Sequence, residues 1–343
     1  MNKKIDVGII GAGRWGPNVI GALRRLPEVN ANCIADINQS SLDQLENRFN
    51  GLRTFTIADD LIKSPEFAAI MICTPVTTHL DLVEQALLHG KHVFVEKPFG
   101  QDPEKCTKLC EIAETKKLSI MVGHVFLFNS SILELKKIID SGELGEIQHL
   151  EAHRTNLGPV RKDVNAVWDL TSHDASIFDF LLDSLPESVS CVGSRRLDPK
   201  IEDTSYTTFR YPGSIIAHAH ASWLNPRKVR QITVIGSKKM ALWDDLKLEH
   251  PITIFDSSIG LEQSYYSDSF ASHRLSYNRG DVTLPSFPTN EPLFEELKHF
   301  IQVIEGNEKN RSPGRYGVEV ANTLQAADQS LNAEGAFINV VRS

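Results

Sequence analysis

The 343-residue chain has no apolar run long enough to cross a bilayer, so no transmembrane anchor is expected. Its first residues, Met1-Asn2-Lys3-Lys4, run straight into a strand-like segment without a signal-peptide core, and a cytoplasmic location is expected. No basic tract offsets the formal charge of −8, which argues against a nucleic-acid partner but leaves room for a local basic pocket. Cysteine is scarce: Cys33, Cys73, Cys106, Cys110 and Cys191 form an odd, scattered set that reads as buried reduced thiols. Cys106 and Cys110 are four residues apart on a predicted helix, where a redox or metal pair competes with simple helix packing. Internal repeats and low-complexity segments are absent too. What remains, 41% hydrophobic and 23% charged residues, is an ordinary globular balance over a length that suits two domains.

The first part alternates in character. Strand signals at 7–10, 31–35, 67–73, 92–95 and 119–122 are separated by helical patterns at 17–26, 41–49, 78–88 and 103–116. Apolar runs between amphipathic helices imply a parallel sheet covered on both faces. After about Gly123 the pattern changes. A helix at 131–140 ends at the cap signal Ser141-Gly142. Strand-like runs follow at 147–154, 188–193, 204–210, 215–223, 230–236 and 239–243, several alternating with period two, with one helix, 170–182, among them. A Ser/Asn/Pro-rich loop at 272–291, helices at 292–305 and 315–332, and a closing strand at 336–341 complete the chain. The expected architecture is an α/β Rossmann-type doubly wound parallel sheet (1–122), followed by an α+β domain with a largely antiparallel, open-faced sheet (123–343).

The first strand runs into Gly11-Ala12-Gly13-Arg14-Trp15-Gly16, a G-x-G-x-x-G turn that opens a helix. Gly11 permits the tight turn, Gly13 lets the backbone approach a pyrophosphate, and Gly16 allows close helix–strand packing, with Arg14 and Trp15 in the same loop. The phosphates are expected at the N-terminus of the following helix. Asp36, twenty residues beyond Gly16, stands where an acid accepts the ribose hydroxyls, and neutral Ile37-Asn38-Gln39-Ser40 favour NAD over NADP. The backbone of Cys73-Thr74-Pro75 is expected to line the cofactor at the carboxyl edge of the sheet. His79 either touches the cofactor or caps its helix.

Gly90-Lys91-His92-Val93-Phe94-Val95-Glu96-Lys97-Pro98 places a lysine at the end of a strand on that same edge. Such an ammonium can hydrogen-bond a reacting hydroxyl and stabilise a developing alkoxide. The G-x-G-x-x-G turn, Thr74-Pro75, Gly90-Lys91-His92-Val93 and Glu96-Lys97-Pro98, in this order, resemble the Gfo/Idh/MocA oxidoreductases over the whole length. The resemblance implies that Lys97 is the catalytic lysine and that Glu96 and Lys97 border the cofactor. It also implies an Asp-x-x-x-His pair, met here as Asp169 and His173 in Trp168-Asp169-Leu170-Thr171-Ser172-His173-Asp174. Four residues apart, the two project from one helix face if the helix includes them, and the imidazole can then take a hydroxyl proton. Whether Lys97 or His173 is the final base stays open, and Asp174 reads as a first-turn charge. His218 and His220 share a strand face without a Glu or Cys at ligand spacing, and the chemistry needs no metal, so no metal site is expected.

Further stretches, including 13–18, 123–129, 154–158, 222–230 and 236–240, resemble a bacterial branch acting on nucleotide sugars. That implies oxidation of the 3-hydroxyl of UDP-N-acetylglucosamine or its uronic acid. Arg154, Arg161, Lys162, Arg227, Lys228 and Arg230 are the candidate cations for a diphosphate. Asn129 and Asn156 are candidates for sugar hydroxyls, and Phe128 and Trp223 for packing on a ring. An inositol or free-sugar dehydrogenase, and a dinucleotide-binding regulator without turnover, are the alternatives. The resemblance further implies a homodimer or homotetramer built on the open sheet face, with Ile216, Ile232, Val234 and Leu242 as its apolar positions.

Overall fold

The computed structural model describes residues 4–262 and 274–342. It divides into two compact units: Met1–Phe128 with Asn290–Gln325 and Val341–Ser343, and Asn129–Thr289 with Ala326–Val340. The first holds a six-stranded sheet of β1 (Ile5–Ile10), β2 (Val29–Ala35), β3 (Arg53–Phe55), β4 (Ala69–Ile72), β5 (His92–Glu96) and β6 (Ile120–Gly123). All pairings are parallel and the order is β3-β2-β1-β4-β5-β6, which puts a crossover between β1 and β4. Helices α1 (Gly16–Leu23), α2 (Gln39–Arg48), α3 (Ala58–Ile62), α4 (His79–Leu88) and α5 (Pro103–Lys116) make the connections. Sequence reading missed β3 and α3, because a three-residue strand and a five-residue helix carry too few apolar positions to show a period.

The second unit is built on a nine-stranded sheet, β14-β13-β12-β11-β7-β10-β9-β8-β15. Its strands are β7 (Ile147–Leu157), β8 (Ser188–Ser194), β9 (Thr204–Arg210), β10 (Ile216–Ser222), β11 (Leu224–Gly236), β12 (Met240–Asp244), β13 (Ile252–Glu262), β14 (Arg274–Thr283) and β15 (Ile338–Asn339). Only β7 and β10 pair in parallel. Helices α6 (Ser130–Asp140) and α7 (Ser172–Leu182) cover one face, where Leu150, Ala152, Ala219, Ile232 and Val234 are buried. Phe178 of α7 meets Phe209 of β9 edge-on at 5.9 Å.

Three expectations change. The loop read at 272–291 is strand from Arg274 to Thr283, paired with β13, while 272 and 273 lie outside the described residues. β14 itself carries only Leu275, Tyr277 and Val282 among polar residues and glycine, too few to show an apolar run in sequence. Ile232 and Val234 lie on the covered face, because Ile232 is in register with Ala152 and Val234 with Leu150. Ile216, 46% exposed, does lie on the open face.

The third change concerns the boundary, expected at 122/123. Helix α8 (Pro292–Ile304) and the first part of α9 (Gly314–Asn332) belong to the first unit. Phe300 of α8 packs edge-to-face on Phe94 of β5 at 5.9 Å, a contact of about 0.5–1.5 kcal/mol beyond its buried area. The chain then lines the edge of β6: Val122 N–H donates to the Ser312 carbonyl, Ser312 Oγ to the Val122 carbonyl, and Asn310 Nδ2 to the Ile120 carbonyl. An otherwise bare sheet edge is thereby satisfied.

Candidate functional site

In the first unit, the ends of β1, β2, β4 and β5 meet at the carboxyl edge of the sheet. Gly11 has φ +107°, and a Cβ there would lie 2.7 Å from the Cys73 carbonyl group. A Cβ on Gly16 would lie 2.0 Å from the Gly11 carbonyl oxygen, so both glycines are fixed by the fold itself. Gly13 differs: nothing lies within 4 Å of its missing Cβ, and Gly13, Arg14 and Trp15 are exposed. Helix α1 starts here with no side-chain cap and no acid in its first turn. Its free N–H groups and the positive end of its dipole therefore face an open glycine, a fit for an anionic pyrophosphate. Asp36 Oδ2 accepts the Ala12 N–H at 2.6 Å and Oδ1 the Asn38 N–H at 2.8 Å, which locks its carboxylate beside the loop.

His79 does not cap its helix. It is 1% exposed, and its ring nitrogens lie 2.9 Å from the Pro98 and Thr74 carbonyl oxygens. It braces the segment after β4 against the segment after β5. Cys73 is buried, and burial holds its thiol well above the usual range, so only its backbone lies at the edge. Thr74 is half-buried, accepts a hydrogen bond from Thr78 Oγ1 at 2.7 Å, and precedes exposed Pro75.

Glu96 ends β5, is 9% exposed and pairs with Gly123 of β6. Burial pushes its carboxyl up to about 7, against the Lys97 charge and backbone N–H, both of which favour ionisation. Lys97 is the one residue of the run 93–100 that is not buried, and it is followed by a cis bond to Pro98. Lys91 of the same motif is structural: it donates to the Ser64 and Phe67 carbonyls.

In the second unit, a π-helical turn (Val167–Thr171) runs into α7. Such turns recur at functional sites because they re-aim a side chain. In the run 166–179 only Asp169, Leu170 and His173 are more than marginally exposed. Asp169 and His173 thus share the open edge of an otherwise buried helix start. Asp169 Oδ2 accepts Trp223 Nε1–H at 3.1 Å, and Oδ1 accepts Arg161 Nη1–H at 3.3 Å. Trp223 is 1% exposed, so the ring expected to face a substrate is core and acts by fixing Asp169.

Other expected substrate contacts are engaged within the protein. Arg154 is 3% exposed, and its Nε and Nη2 donate to Asp174 Oδ1 at 2.9 and 2.7 Å. This is a core ion pair, and it turns the expected first-turn charge of Asp174 inward. Phe128 is 2% exposed, tilted against His299 at 5.2 Å, with the Arg311 guanidinium 4.9 Å over its ring. Asn129 caps α6 by accepting the Ser131 and Ile132 N–H groups, and Asn156 donates to the Gly158 carbonyl. Arg230 pairs with Asp245 at 3.1 Å. Lys162, Arg227 and Lys228 are the exposed cations of the expected set. The last two sit where β11 bulges away from β7 between Leu224 and Val229, and Thr155 Oγ1 donates to the Arg227 carbonyl at 2.9 Å. The same end of β7 reaches Trp223, whose carbonyl accepts the Gly158 N–H at 2.9 Å.

Arg161 and Trp223, read from the sequence as substrate contacts, instead hold Asp169, and sequence reading missed a buried Glu296 on α8 altogether. Only the fold brings these residues near their partners. All five cysteines are buried and unbridged. Among the described residues no group of three or more His, Cys, Asp or Glu is arranged to hold a metal ion, and no helix is long and apolar enough to cross a membrane.

Two family profiles match this chain. One, described as an oxidoreductase family with an NAD-binding Rossmann fold, covers residues 5–124, and the other, the GFO/IDH/MocA C-terminal domain, covers 132–242. UDP-N-acetylglucosamine 3-dehydrogenase of Acidithiobacillus ferrooxidans is 26% identical over 83% of this chain and 84% of its own length. Myo-inositol 2-dehydrogenase of Thermotoga maritima is 23% identical over 95% of this chain and 96% of its own. The crystal structure of the WlbA dehydrogenase from Bordetella pertussis, in complex with NADH and UDP-GlcNAcA, superposes with a TM-score of 0.80 at 19% identity, covering 99% and 100% of the two chains.

Proposed function

Because the chain belongs to the Gfo/Idh/MocA oxidoreductase family and is an NAD-dependent dehydrogenase acting on a CH–OH group, we propose that its substrate is a UDP-N-acetylhexosamine oxidised at C3. The cofactor supplies the acceptor for the hydride. Gly11, Gly13 and Gly16 with the start of α1 hold its pyrophosphate, and Asp36 accepts its ribose hydroxyls and disfavours a 2′-phosphate. Lys97 hydrogen-bonds the reacting hydroxyl and stabilises the alkoxide as the proton leaves. His173 or Lys97 receives that proton. Asp169, held by Arg161 and Trp223, orients His173 four residues on.

The observation that carries the substrate class is the exposed cationic bulge. Lys162, Arg227 and Lys228 lie on the segments after and beside the end of β7, where Asp169 is also anchored. A nucleotide diphosphate offers two negative charges to that patch, whereas an inositol offers none. The 26% identity to a UDP-N-acetylglucosamine 3-dehydrogenase supports the same reading. Inositol or free-sugar oxidation is the second reading, supported by the match to a myo-inositol 2-dehydrogenase. NADH formation at 340 nm with UDP-GlcNAc, UDP-GlcNAcA and myo-inositol separates the two. Turnover of a UDP-sugar, lost in Lys97→Ala, is expected. Turnover of myo-inositol alone refutes the nucleotide-sugar reading. We further propose a cytoplasmic homodimer or homotetramer, formed through the open sheet face that carries Ile216, Tyr206 and Val192, each about half exposed. A monomeric mass by light scattering would count against it.

A further inference from the structure

Behind Lys97 lies a buried acidic cluster that the reaction does not use. Glu96 points from the end of β5 toward β6, so closely that a Cβ on Gly123 would lie 3.2 Å from its Oε2. Phe94, two residues earlier on the same strand face, packs on Phe300 of α8. Glu296 stands one turn before Phe300, is 0% exposed, and neither carboxyl oxygen has a hydrogen-bond partner among the described residues. Burial holds its carboxyl well above the usual range, and Glu96 raises it further. The Cys73 thiol, at the end of β4, feels both acids. The last neighbour is His124, which follows β6. It is 1% exposed, rests on Tyr316 at 5.6 Å, and burial, assisted by the Lys97 charge, pushes it down to about 3, so it stays neutral.

Two carboxyls in a dry pocket cannot both ionise, and a nearby positive charge favours ionisation of the first. In a doubly wound sheet a dinucleotide spans both halves. Asp36 marks β1–β3 for the adenosine half, which leaves the edge of β4–β6, ending at Cys73, Glu96 and Gly123, to the nicotinamide half. The oxidised ring carries a positive charge there and the reduced ring does not.

We propose that Glu96 and Glu296 form a buried acid pair that releases one proton to solvent when the oxidised cofactor binds and keeps it when the reduced cofactor binds. The pair thereby makes affinity for NAD⁺, and not for NADH, rise with pH. It rests on cofactor binding alone, so a failure to turn over UDP-sugars leaves it standing. Cys73 and His124, the titratable groups beside the pair on this edge, stay neutral.

The test is titration calorimetry of NAD⁺ and NADH into the whole enzyme at pH 6.5, in two buffers of different ionisation enthalpy. About half a proton is expected to be released with NAD⁺ and none with NADH, and the NAD⁺ dissociation constant should fall about tenfold between pH 6 and 8. Glu96→Gln abolishes the release. Glu296→Gln, which replaces a protonated acid by a neutral group of the same shape, leaves the release at about the same pH. Lys97→Met keeps the release and moves it to higher pH, because Glu96 loses a favourable neighbour. Equal proton exchange for the two nucleotides overturns the proposal, as does release that vanishes in Lys97→Met but survives in Glu96→Gln. A purely structural role for the pair would change stability without separating NAD⁺ from NADH.

Discussion

Replacing Asp174 by Asn tests whether Arg154 serves the core or the substrate. The Arg154 and Asp174 side chains are 4% and 1% exposed, and two hydrogen bonds join them. Burial pushes the Asp174 carboxyl up even beside the guanidinium, so the pair is not strongly stabilising as a unit. Breaking it is a different matter: a guanidinium left buried without its counter-charge costs about 3–5 kcal/mol. At roughly 2–4 °C per kcal/mol for units of this size, the melting temperature should fall by roughly 10 °C. Urea unfolding of the wild type, Asp174→Asn, Arg154→Met and the double variant Arg154→Met/Asp174→Leu measures the free-energy loss. Most of the loss should be recovered in the double variant, because apolar side chains of similar volume replace buried ion pairs at little cost. A loss below about 1 kcal/mol in both single variants, together with a raised KM for a UDP-sugar in Arg154→Met, refutes the core assignment and restores the substrate role that the sequence suggested.

Four further outcomes are expected. Gly13→Ala should fold with an unchanged melting temperature yet lose NAD affinity in a fluorescence titration, since its Cβ meets no protein atom, whereas Gly16→Ala should lose both, its Cβ being 2.0 Å from the Gly11 carbonyl. Asp36→Ala should weaken NAD binding roughly 10–100-fold, the worth of one hydrogen bond to a charged group, and should weaken NADP binding less. Arg227→Ala/Lys228→Ala should raise KM for a UDP-sugar roughly tenfold in steady-state assays and leave any activity on myo-inositol unchanged. Glu96 gives a pH signature: lifted from 4.5 to about 7, it holds in the native state a proton that the unfolded chain has already released. Its contribution therefore destabilises the fold as pH rises from about 4.5 to about 7, by on the order of 3 kcal/mol, and Glu96→Gln should flatten that slope in urea unfolding at pH 5 and pH 8.

Part of this protein is written in local sequence. Gly11, Gly16 and Asp36 are legible because the turn, the helix start and the acid lie within one β-α-β unit, where spacing along the chain fixes spacing in space. The parallel strands are legible because burial on both faces leaves unbroken apolar runs. Lys97 is legible because it ends such a run, and the Asp169–His173 spacing because a helix converts it into a shared face. The tertiary structure alone decides which of the charged and aromatic residues look outward. Arg154 and Trp223 read as ligands in one dimension, and the register of β7 and β10 sends the first to Asp174 and the second to Asp169. Glu296 sits among ordinary amphipathic helix residues, and only the return of α8 to the first unit makes it a neighbour of Glu96. Polar strands such as β14 pair with a partner whose identity no local pattern records. Sequence periodicity reports the burial of an element; the pairing of side chains from distant elements, which sets charge state and function here, is settled only when the chain has closed.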